Sequence, residues 1–242
     1  MKRTPLLCVV IGSAVILGPA GELTARGGDG RPKPIPLAAA RLIIEYNASG
    51  PDVGLQAFVD GEPWTRLQIR APNGRKLFDV RGRGNVGMLG LTELFFESHE
   101  PATDELSLEE FLALFPEGRY TFLAFTPDLR LQWGIATFTH AIPDAPVITS
   151  PLEGSQQDPN HTVISWEPVA DPPGSQIVEY QVIVEQVDVE PKRVFSVHVP
   201  ASVNSVTVPP EFLEPGVEYP FEVLAIEAGR NQTITESSFS TQ

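Results

Sequence analysis

The chain has 242 residues, 42% of them hydrophobic, with 24 prolines, 20 glycines and a net charge of −14 at neutral pH. This supplies enough apolar side chain for one or two cores, argues against disorder, and favours turn-rich β structure over long helices. So acidic a surface repels phosphate backbones, which sets nucleic acid and anionic lipid aside as partners.

The first residues read as an address. Lys2 and Arg3 precede an apolar run from Leu6 to Leu17, and Gly18-Pro19-Ala20 follows. That is the pattern of a secretory signal over residues 1–20, cut after Ala20 or after Ala25; an uncleaved anchor is the alternative. Cys8, the only cysteine, lies inside it, and Pro5-Leu6-Leu7 offers no small residue for lipid attachment. The mature chain would then be free of cysteine and held by its core alone, a habit of bacterial envelope proteins, periplasmic or extracellular, more than of animal secretions. No second apolar run is long enough to span a membrane after cleavage.

Residues 21–40 hold glycine, proline and charge without periodicity and read as a flexible lead-in. From Arg41 short alternating runs begin: "RLIIEY", "GLQAFVD", a turn at Gly61-Glu62-Pro63, "WTRLQIR", a turn at Pro72-Asn73-Gly74, and "KLFDVR". Asn73-Gly74 tolerates positive φ at both residues and predicts a hairpin. One short helix is expected in "ELSLEEFLALFP", with Ser107 and Glu110 as a capping box and Pro116 as its stop. "GRYTFLAF", a Pro127-Asp128 turn and "LRLQWGIATF" predict a further hairpin that closes an N-terminal β domain over 41–140.

Pro143 and Pro146 mark a boundary, after which the alternation restarts. Seven strands are expected in residues 143–242, the number a β-sandwich of the immunoglobulin class needs. Within "LEPGVEYPFEVLA", Tyr219 opens the penultimate strand behind a Pro215-Gly216 turn. Leu213, Pro215, Gly216 and Tyr219 thus have the makings of a tyrosine corner, in which the hydroxyl bonds to backbone just upstream. With Trp166 on the second strand and Tyr180 and Val182 on the third, residues 143–242 resemble a fibronectin type III domain. The resemblance implies an adhesive, spacer or partner-binding module without a shared active site. "LFPEGRYTFLA" echoes "LEPGVEYPFEVLA", with Tyr120 behind Pro116 and Gly118, so the first domain is expected to be immunoglobulin-like too. The fold class is all-β: two tandem sandwiches, the second fibronectin type III-like, the first with one inserted helix.

Catalytic patterns are weak. "GRGNVG" at 82–87 matches a phosphate-binding glycine motif but lacks the surrounding strand-helix-strand repeat, so it reads as a loop. His99, His140, His161 and His198 are dispersed and form no zinc pattern. The acids from Glu93 to Glu110 read as a solvated face, and neither a metal nor a cofactor is expected. Asn47, Asn160 and Asn231 begin Asn-x-Ser/Thr sequons, which would matter only in a eukaryotic secretory pathway. By strand parity Trp133 and Trp166 belong in cores, whereas Trp64 falls with Arg66, Gln68 and Arg70 on a polar face, open to a sugar ring or a partner side chain. Arg230 and Asn231 occupy the last loop. Trp64, Arg66, Arg230 and Asn231 are therefore the candidate binding residues, and no residue is a catalytic candidate. The reading is an exported, non-enzymatic binding or spacer protein for a protein or glycan partner. Its rivals are an exported polysaccharide-acting enzyme or accessory domain, and a subunit of a fibre or secretion assembly.

Overall fold

Alternation of inward apolar and outward polar side chains organises the chain into two β-sandwiches joined by a shared sheet. The computed structural model describes residues 33–242, so the expected signal and most of the lead-in lie outside the described residues. In the first half the strands are β1 (Ile35–Pro36), β2 (Ala39–Asn47), β3 (Asp52–Trp64), β4 (Arg66–Arg70), β5 (Lys76–Arg81), β6 (Leu91–Glu97), β7 (Gly118–Phe125) and β8 (Leu131–Phe138). One layer runs β2-β3-β6 and the other β1-β8-β7-β4-β5. Between them Leu42, Ile44, Leu55, Trp64, Leu67, Ile69, Tyr120, Phe122 and Phe138 form the core. Each large apolar side chain removed from water there contributes about 1.5–3 kcal/mol. With its three-stranded and five-stranded layers packed around one core this half is a β-sandwich.

Two helices interrupt it rather than one. The expected helix α2 (Leu108–Leu114) has its capping box in place, Ser107 accepting from Glu110 N–H while the Glu110 carboxylate accepts from Ser107 N–H. The other, α1 (Gly84–Leu89), stands where "GRGNVG" was expected to be a loop, and it buries no residue. Gly61-Glu62-Pro63 is likewise no turn, because β3 runs through it to Trp64. At the lead-in, Ile35–Pro36 pairs with β8 and β2 starts at Ala39, so residues expected to be flexible are held in the fold. The Asn73-Gly74 hairpin forms as expected, with Gly74 at φ 81°.

The second half carries β9 (Ile148–Ser150), β10 (Ser155–Gln157), β11 (Val163–Trp166), β12 (Ile177–Gln186), β13 (Arg193–Pro200), β14 (Ser205–Thr207), β15 (Glu218–Glu227) and β16 (Gln232–Thr241). All seven expected strands are present, with β10 added. One layer is β9-β11-β14, the other β13-β12-β15-β16. Ile164, Trp166, Tyr180, Val182, Tyr219, Phe221, Val223 and Phe239 fill the space between them. Tyr219 is fully buried and its hydroxyl accepts from Glu214 N–H at 2.7 Å, behind Gly216 at φ 75°. Tyr120 repeats the corner in the first half, donating to the Pro116 carbonyl at 3.0 Å.

The halves meet strand to strand. β16 pairs in parallel with β2 through Gln232↔Glu45, Thr233↔Tyr46 and Ile234↔Asn47. A single sheet, β13-β12-β15-β16-β2-β3-β6, therefore crosses the molecule. Each strand covers an edge that the other sandwich would otherwise leave unpaired. Residues 33–242 accordingly form one compact unit.

Candidate functional site

The outer face of β8-β7-β4-β5 follows from strand parity and from one buried amide. In β7, Tyr120, Phe122 and Ala124 point into the core, leaving Thr121, Leu123 and Phe125 half-buried on the other side. In β8 the residue that turns inward is Gln132, with no exposure at all. Its amide donates to the Glu62 carbonyl and accepts from Glu62 N–H, both at 2.8 Å, so burial leaves nothing unpaired. Leu131, Trp133 and Ile135 are thereby turned outward, and Trp133 is 37% exposed. Phe125 lies opposite Leu131, and Leu123 opposite Trp133, which makes one apolar stripe across two strands. It leads into the turn after β7, where Leu129 is 82% exposed with φ 66°.

Basic side chains border the stripe. On β4 and β5 the outward pairs are Arg66↔Arg81, Gln68↔Asp79 and Arg70↔Lys76, and Arg119 lies on β7. Asp79 accepts from Arg66 and Lys76 at 2.7 and 2.6 Å, and these bonds hold its carboxyl well below the usual range. Among the described residues Arg70, Arg81 and Arg119 make no ion pair, and residues 66–83 hold six basic side chains against one acidic.

This changes the aromatic assignment. Trp64 is fully buried and cannot contact a partner. It belongs to β3 and pairs with Leu91 of β6, in the layer that faces β4; the bend at Thr65 breaks the alternation that would align it with Arg66. Trp133, expected in the core, is the exposed indole. Arg66 does lie on the outer face, tied to Asp79.

Arg230 and Asn231 are brought to the joint between the halves, away from that face. Arg230 donates to Glu179 at 2.7 Å; with His198, at 2.9 Å from the same oxygen, it holds the Glu179 carboxyl down at about 2. Asn231 is buried, not a loop tip: its side-chain oxygen accepts from Ile44 N–H, and its amide donates to the carbonyls of Thr139 and Ala141. The neighbouring hydroxyls of Thr233 and Thr235 bond the Pro143 and Pro146 carbonyls at 2.7 Å, so the linker is stitched along β16. Of the three sequons, only Asn160 is exposed; Asn231 is enclosed, and Asn47 donates to Glu236.

Carboxylates also gather at the joint. Oxygens of Glu45, Glu97 and Glu100 lie within 4.8 Å of one another, the group among the described residues whose spacing fits a metal ion. Gln232 donates to Glu45, and Gln56 donates to Glu97 at 2.7 Å. Burial raises all the shifted members: Glu45 well above its ordinary value, Asp52 to about 6, Glu100 to about 7 and Glu222 to about 8, with neighbouring carboxylates adding to each. The chemistry open to such a group is to hold protons or a hard cation. The histidines remain apart, His140 facing the Phe115 carbonyl, His161 Asp158 and His198 Glu179.

The described residues form a β-sandwich protein with an apolar stripe on one sheet face, bordered by basic side chains. Residues 146–241 match the family model described as Fibronectin type III domain, and that half of the chain is a fibronectin type III domain. No curated protein matches the chain. Among solved structures, a two fibronectin type III domain segment from chicken tenascin is similar at 15% identity and a TM-score of 0.31, covering 84% of this chain and 99% of that one. The FN1-FN3 domains of chicken CNTN1 align at 12% identity and a TM-score of 0.34, covering 88% and 69%. A Streptomyces avermitilis alpha-L-rhamnosidase aligns at 21% identity and a TM-score of 0.31 over 41% of this chain and 10% of its own.

Proposed function

We propose that the protein is an exported, non-enzymatic binding or spacer protein, acting in the cell envelope or outside the cell, whose contact surface is the outer face of the first sandwich. The observation that carries this is the exposure of Trp133 within a stripe of Leu123, Phe125, Leu131 and Ile135 on a sheet face. Large apolar side chains grouped on a surface are costly in water and mark places where something docks. The fibronectin type III half supports the same class of role, and its stitched linker suits a protein that holds a binding face at a fixed orientation. A protein partner fits this face better than a glycan, because a sugar site needs polar groups converging on its hydroxyls and the residues of this stripe around the indole are apolar.

An enzyme acting on polysaccharide would need two carboxylates roughly 5–9 Å apart in an open groove. The carboxylates the fold gathers lie instead at the joint, near the end of β3 opposite Trp64, with Glu45 buried.

The test is co-sedimentation of the mature chain, residues 21–242, with isolated cell envelopes and with insoluble polysaccharides, beside Trp133→Ala. Pelleting of the wild type with envelopes and its loss in the variant is the expected result. Pelleting that ignores Trp133, or turnover of a polysaccharide by the purified chain, would overturn the proposal.

A further inference from the structure

We propose that the outer face of β8-β7-β4-β5 receives the fibronectin type III half of a second copy of this chain, in a head-to-tail contact. The inference rests on the reading of that face as a contact surface and names its occupant.

Charge selects it. The face is bordered by Arg66, Arg70, Lys76, Arg81 and Arg119 in a chain whose net charge is −14. Residues 143–242 carry fifteen acidic side chains and three basic ones. Residues 33–142 hold fourteen acidic side chains but also ten basic ones, five of them along this face, so a basic patch on one half and a strongly acidic other half are complementary when copies are offset. Field complementarity of this kind steers association and fixes orientation.

The acidic half also offers apolar contacts beside its charges. Val147, at 56% exposure, has its carbonyl bonded to Glu167 N–H; Leu152 at 71% precedes Glu153, and Val187 at 45% precedes Asp188. Such patches can bury Trp133 and its neighbours while setting carboxylates against the arginine border. A symmetric contact of the face with itself is disfavoured, because Arg70, Arg81 and Arg119 would meet their own kind. The contact is therefore heterologous, and repeated copies would form a ring if the rotation closes and a filament if it does not.

Sedimentation velocity of residues 21–242 over a range of concentrations, at about 50 mM and about 500 mM salt, reads the association directly. Association is expected to rise with concentration, weaken at least tenfold at the higher salt, and vanish in Trp133→Ala. Arg70→Glu with Arg119→Glu disables the face, and Glu153→Lys with Glu167→Lys and Asp188→Lys disables the tail. Each variant alone should be a monomer, while an equimolar mixture should form heterodimers and stop there. Unchanged thermal unfolding confirms that these surface variants are folded. A wild-type chain monomeric at every concentration, association that survives Trp133→Ala, or a mixture that stays monomeric would overturn the inference. A monomeric chain that still pellets with envelopes through Trp133 would leave the proposed function standing and sink only the self-contact.

Discussion

Gln132 and Trp133 adjoin on one strand and exchange the environments their chemistry would assign them. Gln132 is enclosed because both ends of its amide are matched by the Glu62 backbone, and the strand's alternation then puts the indole outside. Replacing Gln132 by Ala should strand a buried N–H and a buried carbonyl and cost about 2–4 kcal/mol in urea unfolding. The two tryptophans make the sharper contrast. Trp64→Ala empties a fully buried site and should lose about 3–5 kcal/mol, whereas Trp133→Ala should change stability by less than about 1 kcal/mol and be felt in binding. Equal losses at the two positions would contradict this placement. Hydrophobic parity read from residues assigned these side chains the wrong way round. It has no means of seeing a polar side chain that replaces a strand partner, nor a one-residue bend such as Thr65 that restarts the count.

At the scale of elements, the tyrosine corners and the joint carry most of the specificity. Tyr219→Phe removes the acceptor for Glu214 N–H and should cost about 1–2 kcal/mol by chemical denaturation, with the core otherwise intact. The joint should respond to pH in a defined direction. Carboxyls of Glu45, Asp52, Glu100 and Glu222 are raised in the folded chain, whereas the unfolded chain releases these protons near pH 4, about the ordinary value. The folded state thus binds more protons, so this contribution to stability is complete below about pH 4 and falls as pH rises through about 6 to 8. The charged neighbours at this site are Glu97 and Glu100 beside Glu45, Glu97 and Glu236 beside Asp52, and Glu185, Glu236 and Lys192 beside Glu222. The melting temperature should therefore be lower at pH 8.5 than at pH 6, and Glu100→Gln should flatten that slope by a few degrees, on the order of 1–2 kcal/mol after solvent screening. A slope unchanged by the substitution would remove these carboxyls as its source. The strands of the second half were legible because turns and alternation agree there with the corner tyrosine. In the first half β6 was missed, since "LTELFFE" mixes acids into the strand, and so was α1, whose apolar residues face outward.

At the scale of the molecule, two recognisable sandwiches could be read from the sequence, but the way they join could not. Pairing between β2 and β16 joins residues separated by nearly the whole described chain, and nothing in either strand's own pattern names the other. The buried Asn231 bonds at the same place looked from sequence like a turn residue in an exposed loop. Asn231→Ala should release the Ile44 N–H and the linker carbonyls together. Hydrogen exchange should then quicken at Ile44 and along residues 232–234, while the protection of both cores is kept.

The parallel sense of that pairing also has a mechanical meaning. Pulled apart from residue 33 and residue 242, β2 is drawn one way along its axis and β16 the other, so their hydrogen bonds are loaded side by side in shear rather than peeled in turn. Sandwiches strung on a free linker would lengthen under tension as the linker straightened. This chain would resist as a strut, keeping the distance between its two halves until the strands slid past one another.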